Sequence, residues 1–240
     1  VMQANNESGL IQPIAEIAKV CRCRGVLLHV DAVQALGKLP VDFTALGADL
    51  LTLSFHKAGG PKGVGALVLR GGVDMVALLH GGGQERNRRA GSENVAAIAG
   101  AGALCAELPA IQAAFAATQP WRDATEQAIT AACPTVSVVG QGATRLPNTS
   151  LLVVPGLEGQ MAVMGLDLAG VSVSSGSACS SGKTQPSHVL LAHGYSTAAA
   201  RCGLRFSWGL SNSAADVPTV VNAFTTLYQR LQPTTVEKAS

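Results

Sequence analysis

Short apolar runs that close on polar clusters, alternating with helical patterns, are the strongest constraint on what this chain can fold into. Residues 25–32 (GVLLHVDA) and 48–54 (ADLLTLS) are too short for helices and carry apolar residues on both faces. Residues 63–70 (GVGALVLR) repeat the pattern. Strands of that kind need cover on both sides, which helices supply, so the pattern predicts a layered α/β sheet. Before the first run, Ile11, Ile14, Ile17, Ala18 and Cys21 recur at helical spacing. Pro13 suits the first turn of that helix and Gly25 its end. A brief helix is expected at 41–46.

The second half predicts a smaller α+β unit. Helices are expected from about Val95, then over 121–132, 158–169, 187–193 and 215–231. Strands are expected at 135–140, 149–156, 170–174 and 203–209. The boundary is expected within 110–119, giving domains 1–112 and 113–240; a chain of 240 residues is long enough for two such units. The opening, VMQANNESG, lacks an initial Met and runs from a strand-like start into a polar turn. It reads as the interior of a domain, so the chain is expected to be a fragment.

Composition narrows the function classes. Hydrophobic residues make up 48% and charged residues 13%, against about 25% charged in an average globular protein, which excludes intrinsic disorder. Lys and Arg number 17 against 15 acids, so no basic field exists to hold a nucleic acid. Mean hydropathy is +0.29, yet no uninterrupted apolar run reaches the roughly 18 residues of a membrane span. The most apolar stretch, 96–117, is interrupted by Glu107, Pro109 and Gln112 and is expected to be a buried helix followed by a break. The six cysteines follow no disulfide framework, so reduced thiols in the cytoplasm are expected. Cys21 and Cys23, two apart on a helix, point in different directions and make a poor metal site.

Polar residues at strand ends are out of place in a core and in place in a site, because ligands of open α/β sheets bind beyond the carboxyl ends of the strands. The first strand ends in His29 and Asp31, with Gln34 three residues on; the second ends in Ser54, His56 and Lys57. A Lys beside a Gly-rich turn can form a Schiff base with an aldehyde, an Asp can hold a protonated ring nitrogen, and Ser54 and His56 can donate to a phosphate. The same positions also suit plain surface residues at a βα turn. His29, Asp31 and His56 as metal ligands would lack a fourth. Cys179 lies in SSGSACSSG, among small polar neighbours that leave a thiol accessible for nucleophilic work; an ordinary exposed Cys is the alternative. Arg205, in the apolar strand GLRFSWG, needs a carboxylate partner, from the protein or from a substrate. The loop QERNRRAGS brings Arg86, Arg88, Arg89 and Ser92 ahead of a helix, which suits either an anion or a solvated loop.

Taken in order, HVDAVQ, SFHKAGGPKG, GGGQERNRRAGSENV, SSGSACSSG and RFSWG resemble the cysteine desulfurases of the NifS/IscS type, within the class V aminotransferase family. The resemblance covers essentially the whole chain. It implies the pyridoxal-phosphate-dependent transferase fold of the aspartate aminotransferase type: part of the large mixed-sheet domain plus a smaller C-terminal domain carrying the Cys loop. It implies a homodimer that converts L-cysteine to L-alanine and leaves a persulfide on a loop Cys. The sulfur then passes to an iron–sulfur scaffold or another acceptor protein. No nucleic acid or membrane partner is implied. Position by position, Lys57 resembles the Schiff-base lysine and Asp31 the partner of the pyridine nitrogen. Gln34 and Asn6 match contacts to the cofactor or substrate, and Ser54 and His56 match phosphate contacts. Ser92 stands where the family commonly has Thr, reaching a phosphate across the dimer. Arg205 matches the substrate-carboxylate arginine. Cys179 matches the persulfide-forming nucleophile and is at most a transient iron–sulfur ligand, with no resident metal.

Two departures accompany the resemblance. Gln185 stands before Pro186 where relatives often carry an acid. The family also has roughly 150 residues before the position of Val1, by analogy of domain size. They supply another phosphate-binding turn and a His that stacks on the cofactor ring. A truncated, catalytically impaired fragment acting as a dimerisation module is therefore the alternative reading.

Overall fold

Strands β1 (His29–Asp31) and β2 (Leu50–Ser54) run parallel, with His29 opposite Leu50 and Asp31 opposite Thr52. Strand β3 (Gly65–Leu69) pairs with the other edge of β2 in antiparallel fashion, giving a mixed three-stranded sheet in the order β1-β2-β3. The computed structural model describes residues 1–176 and 185–231. Within them the chain divides into two compact units. Unit 1 comprises Val1–Asn5 and Ile11–Ala113; unit 2 comprises Asn6–Leu10 and the chain from Ala114 onward.

In unit 1, helix α1 (Ile14–Cys23) turns Ile14 and Ala18 into a core shared with Leu28, Val30, Ala35 and Leu51. Helix α2 (Phe43–Leu46) starts because Asp42 accepts from the amides of Thr44 and Ala45. It stops at Gly47, whose φ of 67° suits a residue without a Cβ. A 3₁₀ turn, Phe55–Ala58, follows β2 directly, and Phe55 and Ala58 bury with Leu36 and Ala101. A single turn, α3 (Gln84–Asn87), lies in the Gly-rich loop, with Glu85, Arg86 and Asn87 at positive φ.

The first strand is shorter than its apolar run suggests. Val26 and Leu27 are 56% and 58% exposed and lie outside the ladder, because β2 begins only at Leu50 and gives them no partner. Helix α4 (Val95–Ala116) corrects a second expectation. It runs on through Pro109 and is largely exposed rather than buried. The amide that Pro109 lacks would have bonded the carbonyl of Cys105, an exposed residue whose carbonyl water can satisfy. Alanine sustains the helix. Val95–Ala132 includes an 18-residue window of mean hydropathy 1.5, of which 17% is buried. By length and composition alone this is enough to cross a membrane, a test that a helix covered by protein meets equally.

Unit 2 holds a four-stranded antiparallel sheet, order β4-β5-β7-β6, from Ser137–Val138, Thr149–Val153, Gly203–Ser207 and Ser174–Ser175 respectively. All five residues of β5 are buried. Leu152 faces a core with Ile129, Leu166, Leu204, Phe206 and Phe224. Leu151 and Val153 face a second core with Val139, Leu190 and Ala200. Helices α5 (Gln119–Ala132), α6 (Gly159–Leu168) and α9 (Asp216–Leu231) supply residues of the first core; α7 (His188–Ala192) and α8 (Thr197–Ala200) supply residues of the second. A buried bidentate pair, Arg145 with Glu126 at 2.7 and 2.8 Å, ties the segment before β5 to α5.

Candidate active site

The parallel register places the carboxyl ends of β1 and β2 on one edge of the unit 1 sheet. Asp31, which ends β1, is half-buried, and its Oδ1 accepts the Val33 amide at 2.9 Å. The backbone then turns: the Ala32 amide donates to the Thr52 carbonyl at 3.0 Å, and the Ala35 and Leu36 amides return to the Ala32 carbonyl. Ser54 ends β2, and its Oγ lies 2.8 Å from Nδ1 of His56. Lys57 is exposed on the 3₁₀ turn, which closes at Gly59 with a φ of 94°.

The two strand ends are locked to one another. Gly37 has a φ of 77°, and a Cβ placed on it would stand 2.8 Å from the Cβ of Ala58. The turn that carries Gln34 therefore packs directly on the turn that carries Lys57. Lys38, buried at 8% exposure, reaches back with Nζ to the Gln34 carbonyl at 3.2 Å and to its Oε1 at 3.3 Å. Lys38 carried no motif signal in the sequence. His29 hydrogen-bonds through Nε2 to Thr52 Oγ1 at 2.7 Å.

Ser92 is placed differently. It lines a cavity of about 870 Å³ in unit 1, with Arg86, Arg88, Arg89 and Asn94. Asp31, Gln34, Ser54, His56 and Lys57 do not line it. The register and the Gly37–Ala58 packing thus bring five of the sequence candidates to one sheet edge, while Ser92 lines the cavity, which Phe55, between Ser54 and His56, also lines.

In unit 2, Arg205 lies mid-strand in β7, between Leu151 and Ser174. Its Nη1 donates to the Asn6 carbonyl at 2.7 Å, across 199 residues of sequence, and its Nε has no partner among the described residues. The hydrogen bond thus falls on a backbone carbonyl, not on a protein carboxylate. Glu7, next to Asn6, is 4% exposed. Burial pushes its carboxyl above the usual range, while the Ser187 hydroxyl, His188 and Arg205 pull it back down. Sequence reasoning missed Glu7 and Ser187; an acid inside the polar turn NNES was the available signal. Cys179 lies outside the described residues.

Chemically, unit 1 offers a carboxylate, a hydroxyl–imidazole pair and an exposed primary amine on one edge. Unit 2 offers a guanidinium whose hydrogen bond leaves its charge uncancelled by a direct ion pair among the described residues.

The aminotransferase class-V family description matches residues 1–220. The chain is 42% identical to a cysteine desulfurase of Trichormus azollae over 233 residues, covering 97% of this chain and 58% of that protein. It is 43% identical to a cysteine desulfurase of Cereibacter sphaeroides over 232 residues, covering 97% and 59%. A NifS-like protein from Rickettsia africae superposes with a TM-score of 0.87 at 34% identity, covering 95% of this chain and 61% of that one. The chain thus spans about three-fifths of the length of these relatives. On this likeness in sequence and fold, the chain belongs to the aminotransferase class-V family.

Proposed function

We propose that the protein carrying this chain is a pyridoxal-phosphate-dependent cysteine desulfurase. The observation that carries the reading is the parallel register of β1 and β2, which sets Asp31 and the Lys57 turn on one edge of the sheet. The donor set fits the cofactor by its chemistry. Asp31 would hold the proton on the ring nitrogen, Ser54 and His56 would donate to the phosphate, and Lys57 would bind the aldehyde carbon through Nζ. Asn6 and Gln34 would orient the ring oxygen or the substrate. When bound, the cofactor supplies an electron sink for the pair released at the α-carbon of an amino acid.

The rest is work for the side chains. Arg205 takes the carboxylate of L-cysteine through charge-assisted hydrogen bonds. Lys57 Nζ moves the α-proton. The Cys179 thiolate, the reactive form of the thiol, attacks the substrate sulfur. The S–S bond forms as the substrate C–S bond breaks, and the β-carbon gains a proton. L-cysteine and the enzyme thiol thus become L-alanine and an enzyme persulfide, with no external oxidant or reductant. The terminal sulfur then passes to an iron–sulfur scaffold or another acceptor. The reading carries with it a homodimer, in which Ser92 serves the partner's phosphate, and a reducing compartment such as the cytoplasm, since the chemistry needs a free thiol.

The test is release of sulfide and alanine from L-cysteine by the full-length protein with added pyridoxal phosphate and a thiol reductant. Both products should form in equal amounts, and Lys57→Ala should lower turnover by about a thousandfold or more. Turnover that survives Lys57→Ala overturns the reading.

A further inference from the structure

The turn Asn6–Leu10 is pinned at both ends within unit 2. At one end the Gly9 carbonyl accepts the Leu146 amide at 2.8 Å, and Leu10 bridges Arg145. Gly9 has a φ of 71°, which strains any side chain, and a Cβ there would lie 3.1 Å from the Thr149 Cβ, so backbone and packing both favour glycine. At the other end the Ser187 hydroxyl donates to Glu7 Oε2 at 2.5 Å while accepting the Leu190 amide at 3.1 Å. Ser187 is 1% exposed, and a Cβ on Gly176 would come within 3.0 Å of the same Glu7 oxygen. Between the two pins, the Asn6 carbonyl receives Nη1 of Arg205.

A carboxylate is a costly anchor at such a depth. An apolar side chain of similar volume would fill the space without desolvating a charge. What the carboxylate adds is direction: it fixes the Glu7 side chain on Ser187, and with it the orientation of the Asn6–Glu7 peptide. A guanidinium must be held in a defined orientation to recognise a carboxylate.

We propose that Glu7 is a positioning residue for Arg205: by holding the Asn6–Glu7 turn on Ser187, it keeps the Asn6 carbonyl on Nη1 and so fixes the guanidinium that receives the carboxylate of the amino-acid substrate. The inference deepens the desulfurase reading and rests on Arg205 as the carboxylate-binding residue.

The test compares Glu7→Ala, Ser187→Ala, Glu7→Gln and Arg205→Lys in the full-length holoenzyme, with L-cysteine as substrate and L-alanine as a binding probe. Glu7→Ala and Ser187→Ala should each raise KM about tenfold, and weaken L-alanine binding equally, with kcat changed less than about threefold. Glu7→Gln keeps an oxygen acceptor for Ser187 and should restore KM to within about twofold of the parent. Arg205→Lys should raise KM about 30-fold. If Arg205→Lys raises KM while Glu7→Ala and Ser187→Ala leave it unchanged, or lower kcat alone, the positioning role is wrong and the desulfurase reading stands. If Arg205→Lys leaves KM unchanged, the reading of Arg205 falls, and the positioning role falls with it. Should Glu7→Ala fail to fold, Ser187→Ala and Glu7→Gln decide the question by the same KM comparison.

Discussion

The candidate residues of unit 1 and those of unit 2 are held in opposite ways. In unit 1 the partners are near in sequence: Asp31 with Val33, Ser54 with His56, and Lys38 with Gln34. In unit 2, Arg205 and Ser187 find theirs 199 and 180 residues away, in the turn Asn6–Leu10. A site made of strand ends and the turns that follow them is nearly a local property of the chain. A guanidinium in the middle of a strand has no local solution, so a distant turn must be brought to it and pinned. Local sites tolerate loosening elsewhere; the long-range one depends on the whole unit.

Unit 1 has exceptions, the bond of His29 to Thr52 and the contact of Gly37 with Ala58, and breaking the second should have the largest effect. Gly37→Val demands a β-branched residue at a φ of 77° and drives its Cβ into Ala58. A loss of about 3 kcal/mol or more is expected, read from the denaturant midpoint. Gly37→Ala should cost about 2 kcal/mol, and Ala58→Gly in that background should return the steric part and not the backbone part. If Ala58→Gly returns nothing, the two strand ends are not joined by this contact.

A smaller effect should follow from the most local bond. Ser54→Ala removes the hydroxyl beside His56 Nδ1 and should weaken pyridoxal phosphate binding about tenfold. The denaturant midpoint should move by less than the equivalent of about 0.5 kcal/mol. A large loss of stability would show that this bond is structural and not reserved for a ligand.

The smallest effect distinguishes the units by pH. The Leu28 amide, followed by Arg70, holds Asp49 below its ordinary value of 3.8. That contribution is present above the unfolded value and is lost as pH falls through the folded one. Burial holds Glu7 above its ordinary value of 4.5. Its contribution is present below the unfolded value and is lost as pH rises through the folded one. As pH rises above 4.5, hydrogen-exchange protection in β7 should therefore decline while that in β2 stays level. Glu7→Gln should flatten the β7 profile. Parallel profiles in the two sheets, unchanged by that substitution, would remove the contrast.

The same contrast explains what could be read from the sequence. Apolar runs closing on HVD and LS located β1, β2 and the polar residues beyond them, because strand burial and strand ends are local signals. Arg205 stood out in its strand as a charge among apolar neighbours. Its hydrogen bond to Asn6 and the Glu7–Ser187 anchor were illegible, since nothing in a local window pairs residues 180 or more apart. Helix α4 misled for a different reason. Alanine and glycine make a stretch apolar without stating which face is buried, so hydropathy suggested a core helix where the structure has an exposed one.

Borohydride trapping tests most directly the proposal that the amine of Lys57 is the attachment point for pyridoxal phosphate. The full-length protein is incubated with the cofactor, reduced with borohydride, digested and mapped by peptide mass. One reduced phosphopyridoxyl group is expected, on the peptide containing Lys57, with Lys62 and Lys38 unmodified. A label on another lysine, or no label at saturating cofactor, would contradict it.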